Sequence, residues 1–325
     1  MRPNIANVSL LCCLRPITLL VQSARQEKTI NLPAGASVEA ISVSPAGNLI
    51  AAICTDHVVR VWSGRSGDLT RTLTENTGTP SGVQFSSDGR LLAVAYEIGQ
   101  YEKGAIKIFD VDSWKVQHDL AAPFTMFALA FSPDSRRIAF SDRCTQLWNL
   151  TGRKNLTDIS PPFGGSHALS FSPDGRWVAT ADGDGFVRVH DADTGGLRGT
   201  ATEFLLEPFT VAFSPDGKSL LAGGADKAIS IIDSDSGKVT RVLLKQSGVV
   251  SSLDVSADGK RAAVVYRSSE SFLDSNHVML WDLAKGIVLA DFQKPGLVIN
   301  GGAFVGDHYM VATSSADQLT LWSIP

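Results

Sequence analysis

Apolar and polar residues alternate along most of the chain in short runs separated by turns, a pattern typical of β-strands. The clearest example predicts four strands, which we name a, b, c and d, over residues 210–213, 219–222, 228–232 and 239–243. Asp216-Gly217 predicts a tight hairpin turn between a and b, because both residue types tolerate the positive φ that such turns require. The unit is therefore an antiparallel four-stranded sheet.

This unit recurs along the chain. The turn that follows strand a begins at positions 44, 86, 132, 172, 214, 256 and 305, which are 42, 46, 40, 42, 42 and 49 residues apart. Such a period suits four short strands per repeat. The sequence therefore contains seven copies of one supersecondary unit.

The copies predict a closed ring. A small sheet cannot bury both of its apolar faces alone, so neighbouring copies pack face to face around an axis. The last copy ends at strand c, residues 319–322, whereas an unassigned strand-like segment, residues 28–32, precedes the first copy. We expect residues 28–32 to complete the last sheet, since this removes an exposed edge. The fold class is thus all-β, a seven-bladed β-propeller of four-stranded antiparallel blades over residues 28–325.

Residues 1–27 differ from the rest of the chain. They combine an early Arg with apolar runs over 8–14 and 17–21, which is similar to a secretory signal peptide, but Arg15-Pro16 interrupts the apolar run. Neither half is long enough to span a bilayer. An export signal, a disordered leader and a misplaced start codon stay open. Localisation is therefore unknown, with the cytoplasm slightly favoured over export.

Composition narrows the possible functions. The chain has 44% apolar residues and a net charge of −4, so it can bury a large core but carries no basic stripe. Because phosphate contacts dominate nucleic-acid affinity, we expect no nucleic-acid partner. Cys54 and Cys144 fall in the first and third blades, too far apart for a disulfide, and we interpret them as small buried apolar residues.

The repeats resemble WD40 repeats over nearly the whole chain. Strand c ends at the family's aromatic-plus-acid position, as in these pairs: Phe109-Asp110, Trp148-Asn149, His190-Asp191, Ile232-Asp233 and Trp281-Asp282. The family's b–c turn aspartate matches Asp56, Asp184, Asp226 and Asp317, and the resemblance implies that these residues accept backbone hydrogen bonds that fix the turn. No repeat has the family's Gly-His dipeptide, so we do not expect the full Asp–His–Ser/Thr–Trp network in any blade. The resemblance is to the looser WD40-like repeats common in bacteria.

Candidate chemistry is sparse. Asp182-Gly-Asp184, Asp191-Ala-Asp193 and Asp233-Ser-Asp235 look like fragments of calcium loops, but the spacing of a full loop is missing, so we interpret them as turns. The six histidines show no metal-ligand spacing, and we expect His190 to be packed and hydrogen-bonded. No nucleophile elbow or phosphate-binding glycine loop is present. We expect no catalytic residues, no cofactor and no metal.

Two long b–c loops suggest a binding surface. They belong to the second and sixth repeats and must leave the same end of the ring, because successive connections alternate between its ends. We expect a protein or peptide partner to contact the following residues: Tyr96, Glu97, Tyr101, Glu102, Arg267, Glu270, Phe272 and Asp274. This predicts a monomeric interaction scaffold. The alternatives are an exported propeller that binds a small molecule or envelope partner, a lactonase-like or quinoprotein-like enzyme with a channel site, and loops without a binding role.

Overall fold

The computed structural model describes residues 25–33, 36–74, 78–99, 103–122, 128–141, 144–152, 154–159, 165–198, 202–204, 206–243, 248–268, 277–292, 299–305, 309–314 and 318–324. Within these ranges the chain folds into strands and turns without a helix, and so without a helix that could cross a membrane.

The described strands form seven four-stranded antiparallel sheets. In chain order they are β1 (Arg25–Asn31), β2 (Val38–Val43), β3 (Leu49–Cys54), β4 (Val59–Ser63), β5 (Leu69–Leu73), β6 (Thr79–Phe85), β7 (Leu91–Ile98), β8 (Lys103–Asp110), β9 (Val116–Ala122), β10 (Ala128–Phe131), β11 (Arg137–Ser141), β12 (Thr145–Asn149), β13 (Lys154–Ile159), β14 (Ser166–Phe171), β15 (Trp177–Asp182), β16 (Phe186–Asp191), β17 (Thr202–Glu203), β18 (Pro208–Phe213), β19 (Ser219–Gly224), β20 (Ile229–Asp233), β21 (Val239–Leu243), β22 (Gly248–Val255), β23 (Arg261–Ser268), β24 (His277–Asp282), β25 (Ile287–Phe292), β26 (Ile299–Val305), β27 (Tyr309–Ser314) and β28 (Gln318–Ser323). We number the sheets as blades 1 to 7, from β2–β5 through β22–β25 to β26–β28 with β1.

A buried serine organises most of the a–b turns. In blade 4 the Ser172 hydroxyl donates to the Asp174 carboxylate at 2.6 Å and accepts the Trp177 backbone N–H at 2.9 Å. Asp174 also accepts the Arg176 N–H, and Gly175 adopts a φ of 71°. The same Ser-to-Asp bond recurs in blades 2, 3, 5 and 6. The predicted Asp-Gly turn is confirmed, but the serine, whose role the sequence did not reveal, holds it closed.

The blades form a ring because the first strand of each contacts the first strand of the next. The contacts run from β2 to β6, β10, β14, β18, β22 and β26, and back from β26 to β2. Apolar side chains from adjacent blades fill the seams; in the seam between blades 7 and 1, for example, Ile30 and Leu319 pack with Val38 and Trp62. The core is therefore a set of layers between blades rather than one central cluster.

The ends of the chain meet in blade 7. Strand β1 pairs antiparallel with β28, placing Ile30 opposite Leu319 and Arg25 opposite Ser323. The predictions of a propeller with four-stranded antiparallel blades and of a closing N-terminal strand are confirmed. That strand begins three residues earlier and ends one residue earlier than predicted.

Two smaller expectations gave mixed results. In blade 5 the observed strands extend the predicted a and b strands by two residues each and shift strand c by one, because the ladder continues to Pro208↔Gly224. Cys54 is fully buried, as predicted. Cys144 is only partly buried, because it precedes β12 instead of lying within it.

Candidate partner-binding rim

The connections between strands alternate between the two ends of the ring. The b–c turns, such as residues 183–185, and the d–a connections lie at one end, which we call the b–c rim. The a–b turns, such as residues 215–218, and the c–d turns lie at the other end, the a–b rim. The two long loops of the sequence therefore both belong to the b–c rim.

The hairpins of blades 2 and 6 are longer than that of blade 5. Strands β7 and β8 are paired over eight positions, from Leu91↔Asp110 to Ile98↔Lys103, whereas β19 and β20 share five pairs. In blade 6, β23 pairs with β24 as far as Tyr266↔His277 and with β22 as far as Gly248↔Ser268. Part of the extra length of these two hairpins is therefore hydrogen-bonded β-strand.

The structure places three of the eight predicted contact residues. Glu97 is partly buried on β7, and Arg267 is exposed on β23. Tyr96 requires a correction, because its side chain is only 2% exposed and packs with the core between blades 1 and 2. Tyr96 therefore packs in the core beneath the hairpin of blade 2 and does not contribute to the exposed surface. Five predicted residues lie outside the described residues: Tyr101, Glu102, Glu270, Phe272 and Asp274.

Two of the b–c turn aspartates accept backbone hydrogen bonds within the turn, and a third forms an ion pair with strand c. Asp226 accepts the Ala228 N–H at 3.2 Å, and Asp184 accepts the Phe186 N–H at 3.3 Å. Asp56 also forms a two-point ion pair with Arg60, at 2.9 and 2.5 Å, which holds the pKa of that carboxyl below its usual value. Asp317 lies outside the described residues. The pair between Asp56 and Arg60 therefore ties the b–c turn of blade 1 to strand c.

Blade 4 contains a buried ionic network at this rim. Arg188 on β16 donates to Asp182 at 2.5 Å and, at two points, to Asp184 at 2.8 and 2.7 Å. The Ser166 hydroxyl donates to Asp182 at 2.7 Å, and the Thr180 hydroxyl donates to its other oxygen at 3.1 Å. Asp182 thus accepts hydrogen bonds from three polar side chains while its own side chain is 1% exposed.

The network links blade 4 to blade 3. Ser166 donates its backbone N–H to Ser141 at 2.9 Å, and its hydroxyl lies 3.0 Å from that of Thr145. The Gly-His element is indeed absent, but Ser166 at the d–a entrance brings a hydroxyl to Asp182 instead. From the sequence we interpreted Asp182 as a turn residue. The sequence shows an Asp near the end of strand b and an Arg on strand c, but it does not show that the two side chains pair or that Asp182 is buried.

The first strands of blades 4 and 5 carry a second polar group at the same rim. His167 Nε2 lies 2.7 Å from the Glu207 carboxylate, and its ring contacts Phe209 edge-on at 5.6 Å. His167 and Glu207 are both partly exposed. The group joins two blades and presents charge and aromatic surface to solvent.

His190 is packed and hydrogen-bonded, as predicted. Its Nδ1 donates to the Gly195 carbonyl at 3.1 Å, and burial lowers the pKa of the imidazole. The segments that look like fragments of calcium loops form turns. Asp191 accepts the Thr194 N–H at 2.8 Å, and Asp233 accepts the Ser236 N–H at 2.8 Å.

A family model described as WD domain, G-beta repeat matches residues 26–63, 163–191 and 208–233. These three segments of the chain match WD40 repeats. The matched segments cover β1–β4, β14–β16 and β18–β20, and each ends in a b–c turn aspartate followed by strand c. Blades 2 and 6, which have the long b–c hairpins, lie outside the matched segments.

Several curated proteins are similar to parts of the chain. A WD repeat-containing protein of Synechocystis is 31% identical over 47% of this chain and 44% of its own length. The periodic tryptophan protein 2 homolog of Schizosaccharomyces pombe is 27% identical over 53% of this chain and 22% of its own. Eukaryotic translation initiation factor 3 subunit I of Culex quinquefasciatus is 24% identical over 42% and 44%. The matches thus span less than half the length of these relatives.

Proposed function

We propose that this WD40-repeat propeller is a non-enzymatic interaction scaffold that binds a protein or peptide partner at the b–c rim. The observation that supports this most is the pair of long hairpins of blades 2 and 6, which rise from the same rim and are nearly opposite each other in the ring. Long loops on a rigid scaffold commonly carry binding residues.

The rim offers mixed contact chemistry. Glu97 and Arg267 lie on the described part of the two hairpins, and His167, Glu207 and Phe209 lie on the rim of blades 4 and 5. Aromatic groups with partly exposed charges of both signs are typical of non-obligate protein interfaces. Tyr101, Glu102, Glu270, Phe272 and Asp274 remain part of the proposed surface, whereas Tyr96 acts as its internal support.

The test compares three forms of the full chain as bait in extracts of the native host, with quantitative mass spectrometry. The first is wild type, the second has residues 99–102 and 269–276 each replaced by Asp-Gly, and the third carries D112K and K115D on the a–b rim. We expect a reproducible set of partners to be lost only from the second form. Equal recovery by all three, with equal urea unfolding midpoints, would exclude the b–c rim as the binding surface.

Single substitutions locate the contact. We expect R267E and E97K each to weaken recovery of that partner set by roughly tenfold, since removing a charged interface pair costs on the order of 1–2 kcal/mol. K103E, on the same hairpin as Glu97, measures the effect of charge alone. Equal responses to R267E and K103E, with the opposite response to E97K, would indicate long-range electrostatics and not contact.

A further inference from the structure

A cavity of about 540 Å³ opens at the a–b rim, in the seam between blades 5 and 6. Its floor is apolar and consists of Leu221, Ile231 and Leu283. Its edge is polar and includes Asp216 and Asp258. It lies at the end of the ring opposite the proposed b–c rim surface, so it is independent of that proposal.

The cavity exists because one residue of blade 5 is small. The first residue of strand b pairs with the last residue of strand c in every blade, as in Ser219↔Asp233 and Arg137↔Asn149. In the six other blades this first position holds Leu49, Leu91, Arg137, Trp177, Arg261 and Tyr309. Ser219 is the smallest residue at this position, and it lines the cavity.

The seam between blades 3 and 4 shows what such a space accepts in this fold. There the Arg137 side chain crosses the seam and donates to the Gly175 carbonyl at 2.6 Å and to Asp193 at 2.9 Å. Its guanidinium also lies 5.9 Å from the centre of the Phe171 ring. The counterpart of Gly175 in blade 6 is Gly259, which lines the cavity.

Two carboxylates at the cavity edge can accept hydrogen bonds from a cationic group. Asp216 and Asp258 accept backbone N–H groups from Lys218 and Lys260, and these bonds, with those from the turn serines, keep the pKa of both carboxyls below the usual value. The Lys260 ammonium lies 3.6 Å from Asp258 but is 77% exposed. Such exposed pairs are weak. Lys218 lies near Asp216, and Arg261 lies near Asp258, so these carboxylates act as hydrogen-bond acceptors and do not form a net negative patch.

A guanidinium already binds at the outer end of this seam. Arg241 on β21 donates to the Leu283 and Ala284 carbonyls at 2.9 and 3.0 Å. The seam therefore supplies carbonyl acceptors as well as carboxylates, while Leu221 and Ile231 form a surface against which an aliphatic stem packs.

We propose that the cavity between blades 5 and 6 binds an arginine side chain of a protein or peptide partner. The methylene groups lie on Leu221 and Ile231, and the guanidinium reaches the Gly259 carbonyl and the Asp216 and Asp258 carboxylates. The contact with the Gly259 carbonyl would correspond to the one that Arg137 makes with Gly175 in cis. The counterpart of Asp193 in blade 6 is Ala284, so the carboxylates of this site come instead from the a–b turns of blades 5 and 6. A planar donor group with a fixed fork suits this acceptor set better than a lysine ammonium does.

The first experiment titrates the isotope-labelled full chain with Nα-acetyl-arginine amide and follows backbone amide NMR shifts. We expect saturable shifts at Gly259, Leu283 and Ala284. The citrulline analogue, which has the same shape without charge, is expected to bind about tenfold more weakly, since a charge-assisted hydrogen bond exceeds a neutral one by roughly 1–2 kcal/mol. Equal affinity for both probes, or no saturable shift, would overturn the proposal.

Two variants test the position of the site. S219R places an arginine where Arg137 stands in blade 3, and we expect it to abolish the shifts. D216N removes one charge while an amide oxygen still accepts the turn bonds, and we expect about tenfold weaker binding; D174N in the equivalent turn of blade 4 is the matched control. Unchanged binding in S219R and D216N, or an equal loss in D174N, would refute the site. The variant with shortened b–c hairpins should bind the probe normally, which separates this proposal from the previous one.

Discussion

The buried network of blade 4 predicts a large and specific loss of stability when Arg188 is replaced by Met. Met retains an apolar stem but removes the donors to Asp182 and Asp184. Removing one partner of a buried ion pair costs about 3–5 kcal/mol, because it leaves an uncompensated buried charge. We therefore expect R188M to lower the free energy of unfolding by that amount.

Blade 1 supplies the matched control. Arg60 occupies the same position on strand c and pairs with Asp56, which is 38% exposed. Cys54 stands in blade 1 where Asp182 stands in blade 4, so no second carboxylate is present. Because water can solvate Asp56 after the substitution, we expect R60M to cost only about 1 kcal/mol.

Urea unfolding, followed by tryptophan fluorescence, measures the free energy of unfolding of both variants. Equal dependence of that free energy on urea concentration in wild type and variants shows that the unfolding transition exposes the same surface. The double variant D182N/R188M provides the thermodynamic cycle. We expect it to regain part of the lost stability, with a coupling energy of up to about 3 kcal/mol between the two positions. A loss in R188M no larger than in R60M would refute the argument that burial of Asp182 sets the cost.

Three further predictions concern ring closure and pH. Deleting residues 1–31 removes β1 and exposes the edge of β28, so we expect a lower unfolding midpoint and self-association in size-exclusion chromatography. Deleting residues 1–24 leaves β1 in place and should cause neither effect. Equal behaviour of the two deletions would disprove the role of β1. Desolvation raises the pKa of Asp254, so the carboxyl opposes folding as pH rises above its usual value of 3.8. D254S, which copies Ser42 in blade 1, should therefore gain stability over wild type between pH 3.5 and pH 7, and parallel pH profiles would contradict this. Burial lowers the pKa of His190, so its contribution to stability is present above pH 6.5 and is lost as pH falls through the lowered folded-state value. H190F should lose less stability than wild type between pH 7.5 and pH 5; an identical loss would show that another group is responsible.

The repeat allowed much of the fold to be predicted. Strand length, period and turn residues are local properties, so the antiparallel four-stranded blade follows from residues 210–243 alone. The closing strand followed from a count, since the last repeat lacked a strand d and residues 28–32 had no other partner. Its boundaries were less accurate, because pairing with β28 continues to Arg25 beyond the apolar run.

The candidate sites were harder to predict, because they depend on neighbours distant in sequence. Tyr96 looked like a loop aromatic, yet the ladder of β7 and β8 extends past it and turns its side chain into the seam. The cavity at Ser219 required knowing which residues occupy the same register position in the other blades. The relation of Asp182 to Arg188 required the pairing of strands b and c.

The sequence by itself determined the repeating unit, its turns and the closure of the ring, since these depend on short-range periodicity and backbone preferences. The tertiary structure decided which polar side chains are buried, which seams are filled and which carboxylates are neutralised. Burial and charge compensation are properties of the packed seam between two blades, and the two strands that form a seam lie about forty residues apart in the chain, as Arg137 and Gly175 do.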